Sequence, residues 1–119
     1  MRIATWNVNS IKVRLSNLTD WLRQNDPDVV CLQEIKCLDE NFPSAQLEDL
    51  GYNISVHGQK SYNGVALLSK RPFEDVTKGL PNFSDDQARY LEAVIPENGR
   101  AIRVASIYLP NGNPVDGPK

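Results

Sequence analysis

Glu34 follows Gln33 at the end of an apolar run, and Asn7 ends a shorter run near the start of the chain. If the two runs are neighbouring parallel strands, their ends lie side by side and the two side chains converge. Carboxylate and amide oxygens are hard ligands suited to Mg²⁺, which takes few protein ligands and keeps waters that a substrate phosphate can displace. Both residues are equally at home as ordinary polar strand ends, and spacing alone does not separate these readings. Other candidates are weaker. His57, the single histidine, ends a strand-like stretch and reads as structural or solvent-exposed. Cys31 and Cys37 are too few for a zinc site, even with His57. Cys31 lies in an apolar run and reads as a small hydrophobe, whereas Cys37 falls in a charged loop. Asp85-Asp86 reads as a solvated loop pair.

The elements that must position Asn7 and Glu34 follow from hydrophobic patterning. Residues 2–7 carry Ile3, Ala4 and Trp6 and read as a first strand. Ile11, Leu15, Leu18 and Leu22 recur at helical spacing, Asn9 or Ser10 can cap the start, and Asp26-Pro27-Asp28 stops the helix. Val29-Val30-Cys31-Leu32 is a continuous apolar run suited to a strand covered on both faces. Residues 42–50 predict a short helix with Pro43 in its first turn, and 52–56 alternate at period two. Gly64-Val65-Ala66-Leu67-Leu68-Ser69 predicts another buried strand. Residues 91–95 and 102–109 predict two more, joined as a hairpin through Glu97-Asn98-Gly99-Arg100.

A length of 119 residues with 40% hydrophobic and 24% charged residues describes one soluble globular domain or less. The net charge of −2 advertises no nucleic-acid partner, and any nucleic-acid-binding face must come from local clusters of Lys and Arg. The basic residues are scattered through connecting segments, and no lysine is assigned a DNA contact. The N-terminal apolar stretch is too short for a secretory signal or a bilayer span, which predicts a cytoplasmic protein with reduced thiols. The strands are apolar on both faces, yet two helices cover only one face of a sheet. A bare face of several hundred Å² leaves on the order of 10 kcal/mol of burial unrealised. Self-association through an uncovered sheet face is therefore expected of the isolated chain.

Four segments in order carry a resemblance: Trp6-Asn7-Val8-Asn9-Ser10, Leu32-Gln33-Glu34-Ile35-Lys36, Gly64-Val65-Ala66-Leu67-Leu68-Ser69-Lys70 and Tyr108-Leu109-Pro110-Asn111-Gly112. Together they resemble the exonuclease III-like abasic-site endonucleases of the endonuclease/exonuclease/phosphatase superfamily, over essentially the whole chain. The resemblance implies an α/β fold, the N-terminal half of a four-layer α/β sandwich with a mixed β-sheet and flanking helices, the second half being absent. Residues 1–119 would then form the N-terminal part of one domain, truncated after the Tyr108-Leu109-Pro110-Asn111-Gly112 segment.

The same resemblance implies that Glu34 is a first ligand of Mg²⁺, or of Mn²⁺ in its place, that Asn7 lies beside it at the metal, and that Asn9 supports both. Tyr108 and Asn111 would contact the scissile phosphate, with Tyr62 and Arg89 near the DNA backbone. The implied reaction is Mg²⁺-dependent hydrolysis of a phosphodiester, 5′ to an abasic site or at a 3′ end, on double-stranded DNA. The water-activating groups of that family fall in its second half, so this chain is expected to be inactive alone. Two alternatives stand beside this one. The same fold could act on a phosphoinositide, sphingomyelin or RNA, or the chain could be a non-catalytic structural or complementing half.

Overall fold

The computed structural model describes residues 1–60, 62–79 and 88–108. Seven strands and two α-helices follow in the order β1 (Ile3–Asn7), α1 (Ile11–Asn25), β2 (Val29–Gln33), α2 (Ser44–Glu48), β3 (Asn53–His57), β4 (Val65–Ser69), β5 (Glu74–Lys78), β6 (Tyr90–Glu97) and β7 (Arg100–Ile107), with a 3₁₀ turn over Asp39–Asn41 ahead of α2. The strands form two sheets, a four-stranded one in the order β1-β2-β4-β3 and a three-stranded one in the order β5-β6-β7. β1 and β2 are parallel, and every other pairing is antiparallel.

α1 forms because Ile11, Leu18 and Leu22 fall on one face, and all three are buried. Burying each such side chain stabilises the fold by about 1.5–3 kcal/mol. The helix ends at Asp26 in the left-handed conformation, whose N–H returns to the Leu22 carbonyl, and Pro27 cannot continue it. Its start differs from expectation. Ser10 is the N-cap residue at φ 88°, but no side chain caps the helix. The Ser10 and Ile11 N–H groups instead donate to the Glu34 and Ile35 carbonyls, at 2.8 and 3.0 Å. The chain thus uses the segment after β2 as its helix cap, which ties α1 to the strand ends. The expected helix over 42–50 is present but shorter, a five-residue α2 that buries Leu47.

β2 and β4 are buried at every residue. One face of the first sheet packs on the helices through Val30, Leu32, Ala66 and Leu68. The other packs on the second sheet through Val29, Cys31, Val65 and Leu67. This corrects the expectation of a bare face on those central strands, which assumed a single sheet. The antiparallel run β5-β6-β7 folds back as a separate layer and supplies the missing cover. β1 and β7 remain edge strands, and Ile3 and Ile107 are each about half exposed.

β5 was invisible in the sequence because Glu74, Asp75, Val76 and Lys78 are all exposed, which leaves no apolar period. The predicted hairpin is present. Glu97 pairs with Arg100, and Asn98 and Gly99 both take positive φ, as the two-residue turn requires. Cys37, expected in a charged loop, is buried in the helix-side core.

Candidate functional site

The parallel register sets Asn7 opposite Gln33, so β1 and β2 end together and deliver Asn7 and Glu34 to one place. The Asn7 Nδ2 donates to Glu34 Oε1 at 2.8 Å. The Asn7 Oδ1 accepts the Asn9 N–H at 3.1 Å, and this fixes the amide with its nitrogen toward the carboxylate. The Lys36 Nζ donates to Asn9 Oδ1 at 2.5 Å and lies 3.6 Å from Glu34 Oε2. Glu34 thus meets an amide through one oxygen and a cation through the other, with its side chain 21% exposed.

This arrangement depends on an unusual backbone. Asn9, Ser10, Glu34, Lys36 and Asn63 all take positive φ, between 46° and 88°. Outside glycine such conformations are sparsely populated and persist only where surrounding contacts hold them, typically at functional sites. Here the contacts are identifiable. The Ile35 and Lys36 N–H groups donate to the Gly64 and Asn63 carbonyls, at 3.2 and 3.0 Å. Gly64 itself has φ +92°, and a Cβ there would stand 2.5 Å from Ile35 Cγ1. No larger residue fits beside Ile35.

From the second sheet, β7 ends beside this cluster and brings Tyr108. Burial first, then the charge of Glu34 and a hydrogen bond to it, hold the Tyr108 phenol above its ordinary value, opposed by the charge of Arg89. Tyr108 is therefore a neutral hydrogen-bonding group at physiological pH. Its N–H donates to the Arg89 carbonyl at 2.8 Å, so the two residues are held together. The Arg89 Nε is buried with no hydrogen-bond partner among the described residues.

The structure therefore brings together Asn7, Asn9, Glu34, Tyr108 and Arg89. Tyr62 is 57% exposed, on the segment leading to Asn63, and is not brought into contact with these residues. Asn111, and with it Asp85-Asp86, lies outside the described residues. Sequence reasoning missed Lys36, although its place two residues after Glu34 was a usable signal. It also missed Gln33 and Ser106, buried polar residues at or next to the ends of β2 and β7.

Among the described residues no three His, Cys, Asp or Glu side chains gather as a metal cluster would require. A single accessible carboxylate flanked by amides does fit a hard cation that keeps most of its water, as Mg²⁺ does. It does not fit zinc, which takes three or four nitrogen or sulfur ligands. Cys31 and Cys37 are buried and free. No helix among the described residues is long and apolar enough to cross a membrane.

Two packed sheets with helices outside one of them, and polar groups from both sheets meeting at the strand ends, define an α/β sandwich protein with its candidate site at one rim. The sequence matches the Endonuclease/Exonuclease/phosphatase family over residues 4–118, and the chain belongs to that family. It is 36% identical to exodeoxyribonuclease III of Haemophilus influenzae over 113 residues, which is 94% of this chain and 42% of that protein. The fold superposes with a TM-score of 0.90 on a 3′ phosphatase from Neisseria bound to a product DNA hairpin, at 42% identity, covering 99% of this chain and 45% of that one. It superposes with a TM-score of 0.78 on an AP endonuclease from Archaeoglobus fulgidus, at 40% identity, covering 87% of this chain and 39% of that one. The chain thus spans less than half the length of each of these three relatives, which agrees with the expected half of a four-layer sandwich.

Proposed function

We propose that this chain carries part of the active site of a Mg²⁺-dependent DNA-repair phosphodiesterase acting at abasic sites or 3′ ends in double-stranded DNA. The observation that supports this most is the meeting of the Glu34 carboxylate with the Asn7 amide at 2.8 Å, beside a neutral Tyr108 phenol from the second sheet. The relatives named above, described as an exodeoxyribonuclease, a 3′ phosphatase and an AP endonuclease, point to the same chemistry.

In this reading Glu34 would hold the cation, Asn7 would orient the carboxylate, and Asn9 and Lys36 would fix Asn7 and balance the charge. A bound Mg²⁺ supplies positive charge to the phosphate and to the departing 3′ oxygen. Tyr108, protonated at neutral pH, donates a hydrogen bond to a phosphate oxygen. Arg89 adds positive charge on the same side, Asn111 contacts the phosphate, and exposed Tyr62 lies against the DNA backbone. Hydrolysis forms a bond from water to phosphorus and breaks the bond to the 3′ oxygen. A general base must take the water's proton. In this reading the chain is not expected to turn over alone.

The test pairs binding with cleavage. Mn²⁺, followed by electron paramagnetic resonance, is expected to bind the chain, and Glu34→Ala is expected to weaken that binding at least tenfold. A labelled abasic duplex with Mg²⁺ is expected to be cut no faster than by Glu34→Ala. Equal Mn²⁺ affinity in the two proteins would remove Glu34 from the metal. Magnesium-dependent cutting abolished by Glu34→Ala would show a complete site in this chain.

A further inference from the structure

Glu34 follows β2 in the first sheet and Tyr108 follows β7 in the second, so their meeting depends on how one sheet is set against the other. Most of the contact between the sheets is apolar, with Cys31, Val65 and Leu67 facing Leu91, Ala93 and Ile95. Such contact is non-directional and does little to fix one layer against sliding over the other. Close to the site the contact changes in kind. The Gln33 Nε2 donates to Ser106 Oγ at 3.1 Å, and Ser106 Oγ donates to the Leu32 carbonyl at 2.8 Å. Hydrogen bonds are directional, and their energy falls steeply when the layers shift by a fraction of an ångström.

The placement of this pair is specific. Gln33 immediately precedes Glu34, and Ser106 stands two residues before Tyr108. The same Gln33 amide also donates to Thr5 Oγ1 at 2.9 Å, and Thr5 is two residues before Asn7 on β1. One buried amide therefore ties together the three strands that deliver Asn7, Glu34 and Tyr108. Toward the other end of the sandwich Ser69 is equally buried, yet its hydroxyl accepts only a local bond, from the Arg71 N–H at 3.0 Å. Merely satisfying buried hydroxyls does not require a bridge between sheets.

We propose that Gln33 and Ser106 are positioning residues, which set the two sheets in the one register that brings Tyr108 against Glu34. The inference rests on the reading of Glu34 and Tyr108 as one site, and its test does not rely on catalysis.

The experiment measures, by NMR on the labelled chain, the cross-peaks between the Tyr108 ring and the Glu34 methylene protons. Core cross-peaks between β2 and β4 and between β6 and β7 serve as the reference for folding. In Ser106→Ala and in Gln33→Met the site cross-peaks are expected to fall at least threefold while the reference peaks remain. Ser106→Thr, which keeps the hydroxyl, is expected to restore them, and Ser69→Ala is expected to leave them unchanged. Full site cross-peaks in folded Ser106→Ala or Gln33→Met would overturn the proposal, as would an equal loss in Ser69→Ala. Unfolding of both test variants also counts against it, since a purely structural role predicts that result. Absence of the site cross-peaks from the unaltered chain would refute the pairing of Tyr108 with Glu34 itself, and would thereby be distinguished from failure of the positioning role.

Discussion

Gly64→Ala is expected to cost about 2–5 kcal/mol, and the figure has two separable parts. At φ +92° any L side chain is strained, by about 1–2 kcal/mol. The new Cβ would also stand 2.5 Å from Ile35 Cγ1 and 3.3 Å from its Cδ1, and Ile35 is fully buried. Overpacking of that kind adds about 1–3 kcal/mol. Gly51 is the natural control, because it has φ +95° with nothing within 4 Å of a Cβ, so Gly51→Ala carries the strain alone. The assay is urea unfolding followed by the fluorescence of Trp6 and Trp21, whose rings lie 6.3 Å apart. With unchanged m-values the two variants should differ by about 1–3 kcal/mol. A Gly64→Ala variant within about 0.5 kcal/mol of Gly51→Ala would refute the steric argument. The clash matters to the site because Ile35 lies between Glu34 and Lys36. A folded Gly64→Ala should therefore also lengthen the Asn7–Glu34 contact.

Burial first, then the charges of Asp26 and Asp28, push the Tyr52 phenol up to about 12 from 10.0. Its folded value lies above its unfolded one, so its contribution is complete below about pH 10 and is lost as pH rises through about 12. Tyr52→Phe should flatten that part of the stability curve, and should lose about 1 kcal/mol at neutral pH with the bond to the Pro27 carbonyl. Burial pushes the Cys31 thiol up to about 11, and raises Cys37 against the opposing charge of Lys12. Neither should react with a thiol reagent at pH 8 in the native state, and both should react in urea; rapid native labelling of either would contradict the packing. Leu67→Ala and Leu68→Ala remove fully buried side chains on opposite faces of β4, and each should cost about 2–5 kcal/mol by denaturant titration.

Much of the fold was legible where one physical signal dominated. The apolar runs at β2 and β4, the helical spacing of α1 and the Asn98-Gly99 turn each follow from local chemistry. The division into two sheets was not legible, because no residue of β6 declares whether its partner lies beside it or across the core. The pairing of Asn7 with Glu34 followed from two parallel strand ends. Lys36, Gln33 and Ser106 did not emerge, because their roles come from a positive-φ backbone and from contact between sheets, neither of which leaves a period in sequence. Tyr108 and Arg89 entered through resemblance alone, and the structure sets them side by side.

The turn at Asn98-Gly99 also bears on how the molecule assembles. β6 and β7 adjoin in sequence, and hairpins of this kind close in about 1–10 μs. The first sheet is assembled from distant pieces, since Ile3 pairs with Val29 and Val29 with Ser69. Such long-range pairing is slower, because chain entropy is lost before contacts compensate for it. The hairpin should therefore be ordered early, carrying Tyr108 on its trailing strand, and should wait for a late docking event that brings Glu34 within reach. Defects confined to the inter-sheet layer would then leave the early phase untouched and appear in the final, slow step of refolding.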